Sequence, residues 1–500
     1  MKPPRQLVEP RKTYARKWGD SSPFRGTAAE VPPFEGGERA RTLARVRLRA
    51  EIALARAAGR LSRLAGRGGG TTIPGKILAT VDPAAVGTLA RRLPLGSALV
   101  SATNGKTTTA AMVAEIVGDR VKLAHNRAGA NLVSGVASAL LVSDGADLGL
   151  FEVDEGAFPD IAGRIRPQAV CLGNLFRDQL DRYGELEHIA ERWRTAVAEL
   201  DPAAWTVVNA DDPLLADIAR GRSEALRFGI DDPSVARERL PHAADSKYCR
   251  TCGAPYDYAA AYVGHLGDYR CPRCHEARPQ LDVAAKAIEL SGLEGSSFDL
   301  VTPEGSRRVS LSLPGLYNVY NALGATSLSL VLGAGLDDVE AGLARFRAAF
   351  GRFERITAGD RTVLLLLVKN PAGANEVVRT LVDAGAPVRL LAALNDEIAD
   401  GRDVSWIWDV DFEPLVGSLQ ELVVSGSRAQ ELALRFKYGG LDPAKMTLLP
   451  DLAKALAYGV EETPPGGELV VLPTYTAMLA LRKIASEQGL VRPYWEEAVA

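Results

Sequence analysis

The chain has 500 residues, more than one hydrophobic core organises at about 150 residues per domain, so two or three domains are expected. Its 59 basic and 62 acidic residues leave a net charge of -3, with 47% hydrophobic and 24% charged residues. That is the balance of an ordinary globular protein, and it gives no charge-based reason to expect nucleic acid as a partner. The aliphatic run Val363 to Val368 is far short of the roughly 20 residues that cross a bilayer. Met1 to Asp20 lacks the apolar stretch of roughly 7 to 15 residues of a secretory signal, so a cytoplasmic location is expected.

Residues 1–37 are rich in Pro, Gly and Arg without an apolar period and read as a flexible tail. Glu38 to Ala65 carries Leu43, Val46, Leu48, Ile52, Leu54, Leu61 and Leu64 among arginines, the spacing of an amphipathic helix with a solvated basic face. Ser97 to Ser101 predicts a buried strand, followed by the loop Ala102 to Thr109 and a helix over Ala110 to Val117. Strand-like runs recur at Leu148 to Val153, Ala169 to Leu172 and Trp205 to Val208, with a helical pattern over Leu186 to Leu200. This alternation predicts an α/β fold with a parallel sheet wrapped by helices. The rhythm restarts after Gly351 with Val363 to Val368, Val388 to Leu394, Glu421 to Val424 and Leu469 to Leu472. A first domain over 38–350 and a second α/β domain over 351–500 are therefore expected.

Thr103-Asn104-Gly105-Lys106-Thr107-Thr108 lies between the first strand and its helix. Such a loop turns backbone amides and the positive end of a helix dipole toward an anion. Lys106 is expected to contact the β and γ phosphates of ATP and the Thr107 hydroxyl to ligate magnesium, both from solvent-accessible positions. Strict Walker spacing requires glycine at position 100, where the chain has Val100, so the match to that general motif is partial.

Ala102 to Thr108 resembles the nucleotide loop of the Mur ligase family, with Ala102 in place of the family's first glycine. Phe151-Glu152-Val153-Asp154-Glu155-Gly156, Asn209-Ala210-Asp211-Asp212-Pro213, Leu313 to Ala322 and Gly351-Arg352-Phe353-Glu354 follow in family order. The resemblance implies an ATP-binding domain in which Glu155 holds magnesium and acts with Lys106, and in which Asn318 and Asn321 lie beside the nucleotide. There are departures from the family pattern. In Asn174 to Asp181, Gln179 stands where the family has histidine, and the family's carbamylated lysine falls near Trp193, with no lysine between Lys122 and Lys247. The family's usual N-terminal domain for a nucleotide-linked substrate is also not expected.

Cys249-x-x-Cys252 and Cys271-x-x-Cys274 are separated by eighteen residues, the knuckle spacing of a four-thiolate zinc ribbon inserted over about 245–280. A closed sphere of four sulfurs predicts structural zinc, with His275 at the surface. Cys171, in an apolar strand, is expected in the core.

After Val388 to Leu394 come Asp396, Glu397, Asp400, Asp403, Asp409 and Asp411, interleaved with Trp406 and Trp408, where parallel sheets place ligands. This stretch, with Lys369 to Asn375, resembles the C-terminal domain of the MurT family, ligase subunits of lipid II isoglutaminyl synthase, and the zinc insert suits that family. The resemblance implies work at the inner face of the membrane in peptidoglycan synthesis. ATP would phosphorylate the α-carboxylate of D-glutamate in the lipid II stem peptide, and ammonia from a separate glutaminase subunit, GatD, would attack the acyl phosphate to give D-isoglutamine. It also implies that an aspartate of this stretch completes the glutaminase's Cys-His pair, with Asp403 the first candidate and Asp396 the second. Two rivals are a Mur-type or folylpolyglutamate-type ligase adding an amino acid, and a zinc-bearing scaffold that binds nucleotide without turnover.

Overall fold

A computed structural model describes residues 47, 51–57, 59, 72–126, 130–178, 185–241, 244–347 and 352–491. The expected tail, most of Glu38 to Ala65, and Gln179 and Asp181 lie outside the described residues. Residues 51–57 are helical as expected, but Leu54 is 58% exposed whereas Ala55 is fully buried. A small residue lets this helix approach closely, and Arg56 then donates to the Leu141 carbonyl at 2.6 Å.

Among the described residues, eleven strands precede residue 312. They are β1 (Ser97–Ser101), β2 (Leu123–His125), β3 (Leu148–Val153), β4 (Ala169–Leu172), β5 (Trp205–Asn209), β6 (Ala225–Ile230), β7 (Asp257–Val263), β8 (Leu266–Arg270), β9 (Val283–Leu290), β10 (Ser296–Thr302) and β11 (Gly305–Leu311). Nine of them form one sheet in the order β11-β10-β9-β6-β5-β4-β1-β3-β2, and β7 with β8 forms a separate hairpin in the insert. β1, β3 and β4 are buried at every residue, as a strand covered by helices on both faces must be. The expected parallel sheet holds from β2 to β9, but β10 and β11 run antiparallel. The short links before β10 and β11 cannot hold the helix that a parallel crossover requires, and the alternating burial of Ser296–Thr302 is that of a sheet margin wet on one face.

The second sheet contains β12 (Arg352–Ala358), β13 (Arg361–Leu366), β14 (Val388–Ala393), β15 (Leu419–Ser425), β16 (Met446–Leu448) and β17 (Glu468–Pro473), in the order β12-β13-β17-β14-β15-β16. All neighbours are parallel except the β12–β13 hairpin, whose turn uses Gly359 at φ +67°. The loops after β13, β17 and β14 therefore lie side by side at one sheet edge. The helix Pro371–Asp383 leaves that edge and packs on the first unit, where Arg379 donates to the carbonyls of Tyr262 at 3.1 Å and Val235 at 2.9 Å. One apolar cluster, including Val319, Phe353, Leu364 and Val377, runs through both units.

Candidate active site

β1 delivers the chain into a turn at Gly105, whose φ of +86° is open to glycine, and a Cβ there would come within 1.9 Å of the Asn321 side-chain oxygen. The helix after it, Lys106–Val117, begins four residues before the expected start and has no side-chain cap. Its first amides are left to an anion. Asn174, after β4, braces the loop. Its side chain accepts from the Asn104 amide and donates to the Asn104 carbonyl, both at 2.9 Å, while the Thr103 hydroxyl accepts from the Phe176 amide at 3.0 Å.

The early helix start corrects one expectation: Lys106 is 4% exposed, not solvent-accessible, and Thr107 is half-buried. The Lys106 ammonium folds back to donate to Glu155 Oε2 at 2.8 Å and to the Ala102 carbonyl at 2.9 Å. Thr107 donates to Glu152 Oε1 at 2.9 Å. Burial by itself would push the lysine down, but Glu155, Asp154 and Glu152 hold it above the ordinary lysine range. Burial would likewise push Glu155 up, yet Lys106, with Lys369 beyond it, keeps it below the usual carboxylate range. The cation expected to meet phosphate is thus paired with the carboxylate expected to meet magnesium.

Asn318 and Asn321 face the same cleft as Asn104, Gly105 and Thr108. Asn321 Nδ2 donates to Asn318 Oδ1 at 3.0 Å, and Asn318 Nδ2 donates to the Pro314 carbonyl at 2.7 Å. The other wall comes from the second unit. Asn104 and Asn370 exchange side-chain hydrogen bonds at 3.1 and 3.0 Å, while Asn370 Oδ1 also caps the Gly373 amide at 2.9 Å. Asn174, Glu152 and Asn370 had no role in the sequence reading. The Asn-Pro start of the helix Pro371–Asp383 was the legible cap signal, but its reach to the phosphate loop is tertiary.

Trp193, near which the family's carbamylated lysine would fall, is fully buried. Its indole donates to the Glu155 carbonyl at 2.9 Å and packs on Phe158 at 5.0 Å. An aromatic ring thus backs the carboxylate loop. The oxygen donors of Thr107, Glu152 and Glu155 around the loop suit a hard divalent cation such as magnesium.

The four cysteine sulfurs lie within 4.8 Å of one another. Zinc–sulfur bonds of ~2.3 Å place tetrahedral sulfurs ~3.8 Å apart, so this set fits zinc. Cys249 and Cys271 are buried, and His275 stands exposed beside them. The insert and the helix Leu316–Val331 together grip Asn209-Ala210-Asp211-Asp212-Pro213. Arg278 donates to Asp211 Oδ1 at 2.9 Å, the Tyr320 hydroxyl donates to Asp211 Oδ2 at 2.6 Å, and the buried His265 lies 3.5 Å from Asp212 Oδ1. Burial, only partly offset by Arg278, pushes Asp211 up to about 6. Asp212 in turn accepts from the Leu175 amide at 2.9 Å, so insert and nucleotide loop share a support. Cys171 is buried in β4 with its thiol pushed by burial up to about 12, as expected of a core residue.

Asp403 is not part of this cluster. It is exposed on the segment after β14, where the Ser405 side chain, and after it the Ser405 amide donating at 2.9 Å, hold its carboxyl below the ordinary range. Asp396 is engaged within its own unit, accepting from Ser427 Oγ at 2.8 Å and Arg428 at 3.2 Å. Asp400 is buried and caps the Thr476 amide at 2.8 Å.

A Gly-Lys-Thr loop that opens a helix on a parallel sheet, faced by a second α/β unit across a cleft, is the architecture expected of a Mur-type ligase. Residues 100–270 match the Mur ligase middle domain, and residues 367–478 match the MurT ligase C-terminal family. A pseudomurein peptide ligase type C from Methanothermus fervidus shares the fold, with a TM-score of 0.62 at 21% identity over 78% of each chain. MurF from Acinetobacter baumannii does so with a TM-score of 0.59 at 20% identity over 80% of each chain. In sequence, the lipid II isoglutaminyl synthase (glutamine-hydrolyzing) subunit MurT of Streptococcus pneumoniae is 32% identical over 439 residues, 86% of this chain and 95% of that protein. The subunit of the same name from Staphylococcus aureus is 29% identical over 431 residues, 85% of this chain and 95% of that protein. The chain belongs to the MurT family of Mur ligases.

Proposed function

We propose that this chain is the ligase subunit of a lipid II isoglutaminyl synthase, amidating the α-carboxylate of D-glutamate in the stem peptide for peptidoglycan synthesis. The observation that carries this reading is the combination of an ATP-type loop with a MurT-type C-terminal domain in one chain over most of the relatives' length. Thr103 to Thr108 would hold the phosphates of ATP, with Asn318 and Asn321 toward the rest of the nucleotide. Thr107, Glu155 and Glu152 would hold magnesium, which when bound neutralises phosphate charge.

The substrate carboxylate oxygen attacks the γ-phosphorus. The bond from that phosphorus to the bridging oxygen breaks, and ADP leaves with the electron pair. Ammonia then forms the C–N bond at the acyl carbon, the C–O bond to phosphate breaks, and the proton shed by nitrogen departs on hydrogen phosphate. For Lys106 to serve the first step it must exchange Glu155 for phosphate, and Glu155, released, becomes available to the cation. Charge placed where it develops in a dry site is the main catalytic resource of such loops.

The ammonia would come from a glutaminase partner of the GatD type. Within the described residues the cysteines are four in the zinc cluster and the buried Cys171, a set without an exposed isolated thiol for glutamine hydrolysis. Asp403, exposed and ionised, is the residue we assign to the partner's Cys-His pair, ahead of the internally paired Asp396. Among the described residues no helix is long and apolar enough to cross a membrane. In this reading the lipid substrate is met at the inner membrane face. The rival that adds an amino acid is less well supported, because Trp193 occupies the region where its lysine is needed. The test is glutamine-dependent ATP hydrolysis by the chain plus a glutaminase, with amidated lipid II identified by mass spectrometry. ATP turnover driven by a free amino acid and yielding an extended peptide would overturn the reading.

A further inference from the structure

One buried pair of charges in the cleft has no role in the scheme above. Lys369 stands between the end of β13 and Asn370, and its ammonium donates to Asp178 on the loop after β4. The side chains are 23% and 7% exposed. The other carboxylate oxygen, Asp178 Oδ1, is buried with no hydrogen-bond partner. A strut optimised for stability would not leave that oxygen bare, since an unsatisfied buried acceptor is destabilising.

The position of the lysine is more telling. Lys369 lines the cleft together with Asn104, Gly105, Asn318 and Asn321, next to the residue that clasps the phosphate loop through Asn104. Its charge reaches Glu155, while Lys106 reaches Asp178. Two ammonium groups and two carboxylates thus share one cluster at the head of the loop, one cation from each unit. The chain has no lysine between Lys122 and Lys247, so the second ammonium at this point comes from across the cleft. Burial, outweighing Lys369, pushes Asp178 above the ordinary carboxylate range.

We propose that Lys369 is a catalytic residue of acyl phosphate formation, exchanging Asp178 for a peripheral oxygen of the γ-phosphoryl group and holding that group as it passes to the substrate carboxylate. The bond formed is carboxylate oxygen to phosphorus, the bond broken is phosphorus to the oxygen bridging to ADP, and Lys369 supplies charge and hydrogen bonds alone. This inference rests on the ligase reading above.

The experiment uses the full chain with its glutaminase and compares wild type, Lys369→Met, Lys369→Arg and the double variant Lys369→Met, Asp178→Asn. It measures kcat with free ammonia, ADP affinity by calorimetry, melting temperature, and acyl phosphate trapped as a hydroxamate. Lys369→Met should lower kcat and hydroxamate yield about 100-fold or more while ADP affinity holds, and Lys369→Arg should recover part of the rate. The double variant removes the orphaned carboxylate, so it should regain melting temperature but not kcat. Recovery of kcat in the double variant, wild-type kcat in Lys369→Met, or equal loss of ADP affinity would each overturn the assignment and leave the pair an interdomain strut. Failure of the wild-type complex to amidate lipid II from either nitrogen source would instead refute the ligase reading.

Discussion

Lys106→Ala removes one half of an ion pair whose side chains are 5% and 4% exposed. The remaining carboxylate, Glu155, keeps its burial and loses its main counter-charge. Removing one partner of a buried pair costs about 3–5 kcal/mol, and the nearby Lys369 places the effect toward the lower end. For a domain of this size that is a fall in melting temperature on the order of 10 °C. The pH dependence separates this cause from a simple packing loss. In wild type the folded-state pKa of Glu155 is depressed, so its contribution is present above the ordinary glutamate value and is lost as pH falls through the folded value. In Lys106→Ala, burial raises the pKa instead, so the penalty is present at high pH and relieved by acid. The gap between wild type and variant, followed by thermal unfolding from about pH 8 to about pH 5, should therefore narrow. Lys106→Ala, Glu155→Gln should regain most of the stability and none of the amidation. A single variant that melts with wild type at every pH would refute the buried-pair account, and near-normal turnover would refute the phosphate assignment with it.

Four further outcomes are expected. Thr107→Ala should lower amidation about 100-fold or more with a small change in melting temperature, checked by steady-state assay and calorimetry, since Thr107 is half-buried and makes one bond to Glu152. Metal analysis should find one zinc per chain, and Cys274→Ser should weaken its retention and loosen the β7–β8 hairpin first, as read by hydrogen exchange. Asp403→Asn should abolish glutamine-driven amidation while free ammonia restores product; Asp396→Asn, whose carboxylate is tied to Ser427 and Arg428, should leave glutamine-driven amidation above the Asp403→Asn level. In a double-mutant cycle, Asn104→Ala and Asn370→Ala should couple by about 0.5–3 kcal/mol in nucleotide affinity, and additivity would show that the clasp across the cleft carries no energy.

The parts of this fold that were legible are those whose cause is local. Leu148–Val153 and Val388–Ala393 read as strands because short, mostly apolar runs followed by turn residues suit a sheet covered on both faces. The cysteine pairs read as a metal cluster because the turn chemistry is within each knuckle. Lys106 was expected in an open loop, and it stands buried in the first turn of a helix. The sequence places it after a glycine in a loop, and only the pairing of β1 with β3 brings Glu155 within 2.8 Å of its ammonium. β12 and the antiparallel margin of β10 and β11 escaped for a different reason. Their half-polar alternation, as in Gly305–Leu311, carries no long apolar run to notice. Asn174 and Asn370 escaped because an asparagine after a strand or before a proline is ordinary turn chemistry, and its use as a brace depends on what the fold sets opposite it.

Two loops of the second sheet carry different duties in this scheme, and their connection is rigid. Lys369 and Asn370 follow β13, Asp396 and Asp403 follow β14, and β17 lies between those strands. Two strand spacings amount to about 10 Å. The three ends are joined by hydrogen bonds from the Val368 amide to the Pro473 carbonyl at 3.0 Å, from the Thr474 amide to the Ala393 carbonyl at 2.9 Å and from the Asn395 amide to Thr474 Oγ1 at 3.0 Å. A sheet edge stitched in this way moves as one body, so a shift of the second unit that brings Asn370 onto or off the phosphate loop also displaces the start of the segment that bears Asp403. Nucleotide binding and partner engagement should therefore be energetically linked through this edge. By thermodynamic reciprocity, ATP should change the affinity for the glutaminase by the same factor by which the glutaminase changes the affinity for ATP.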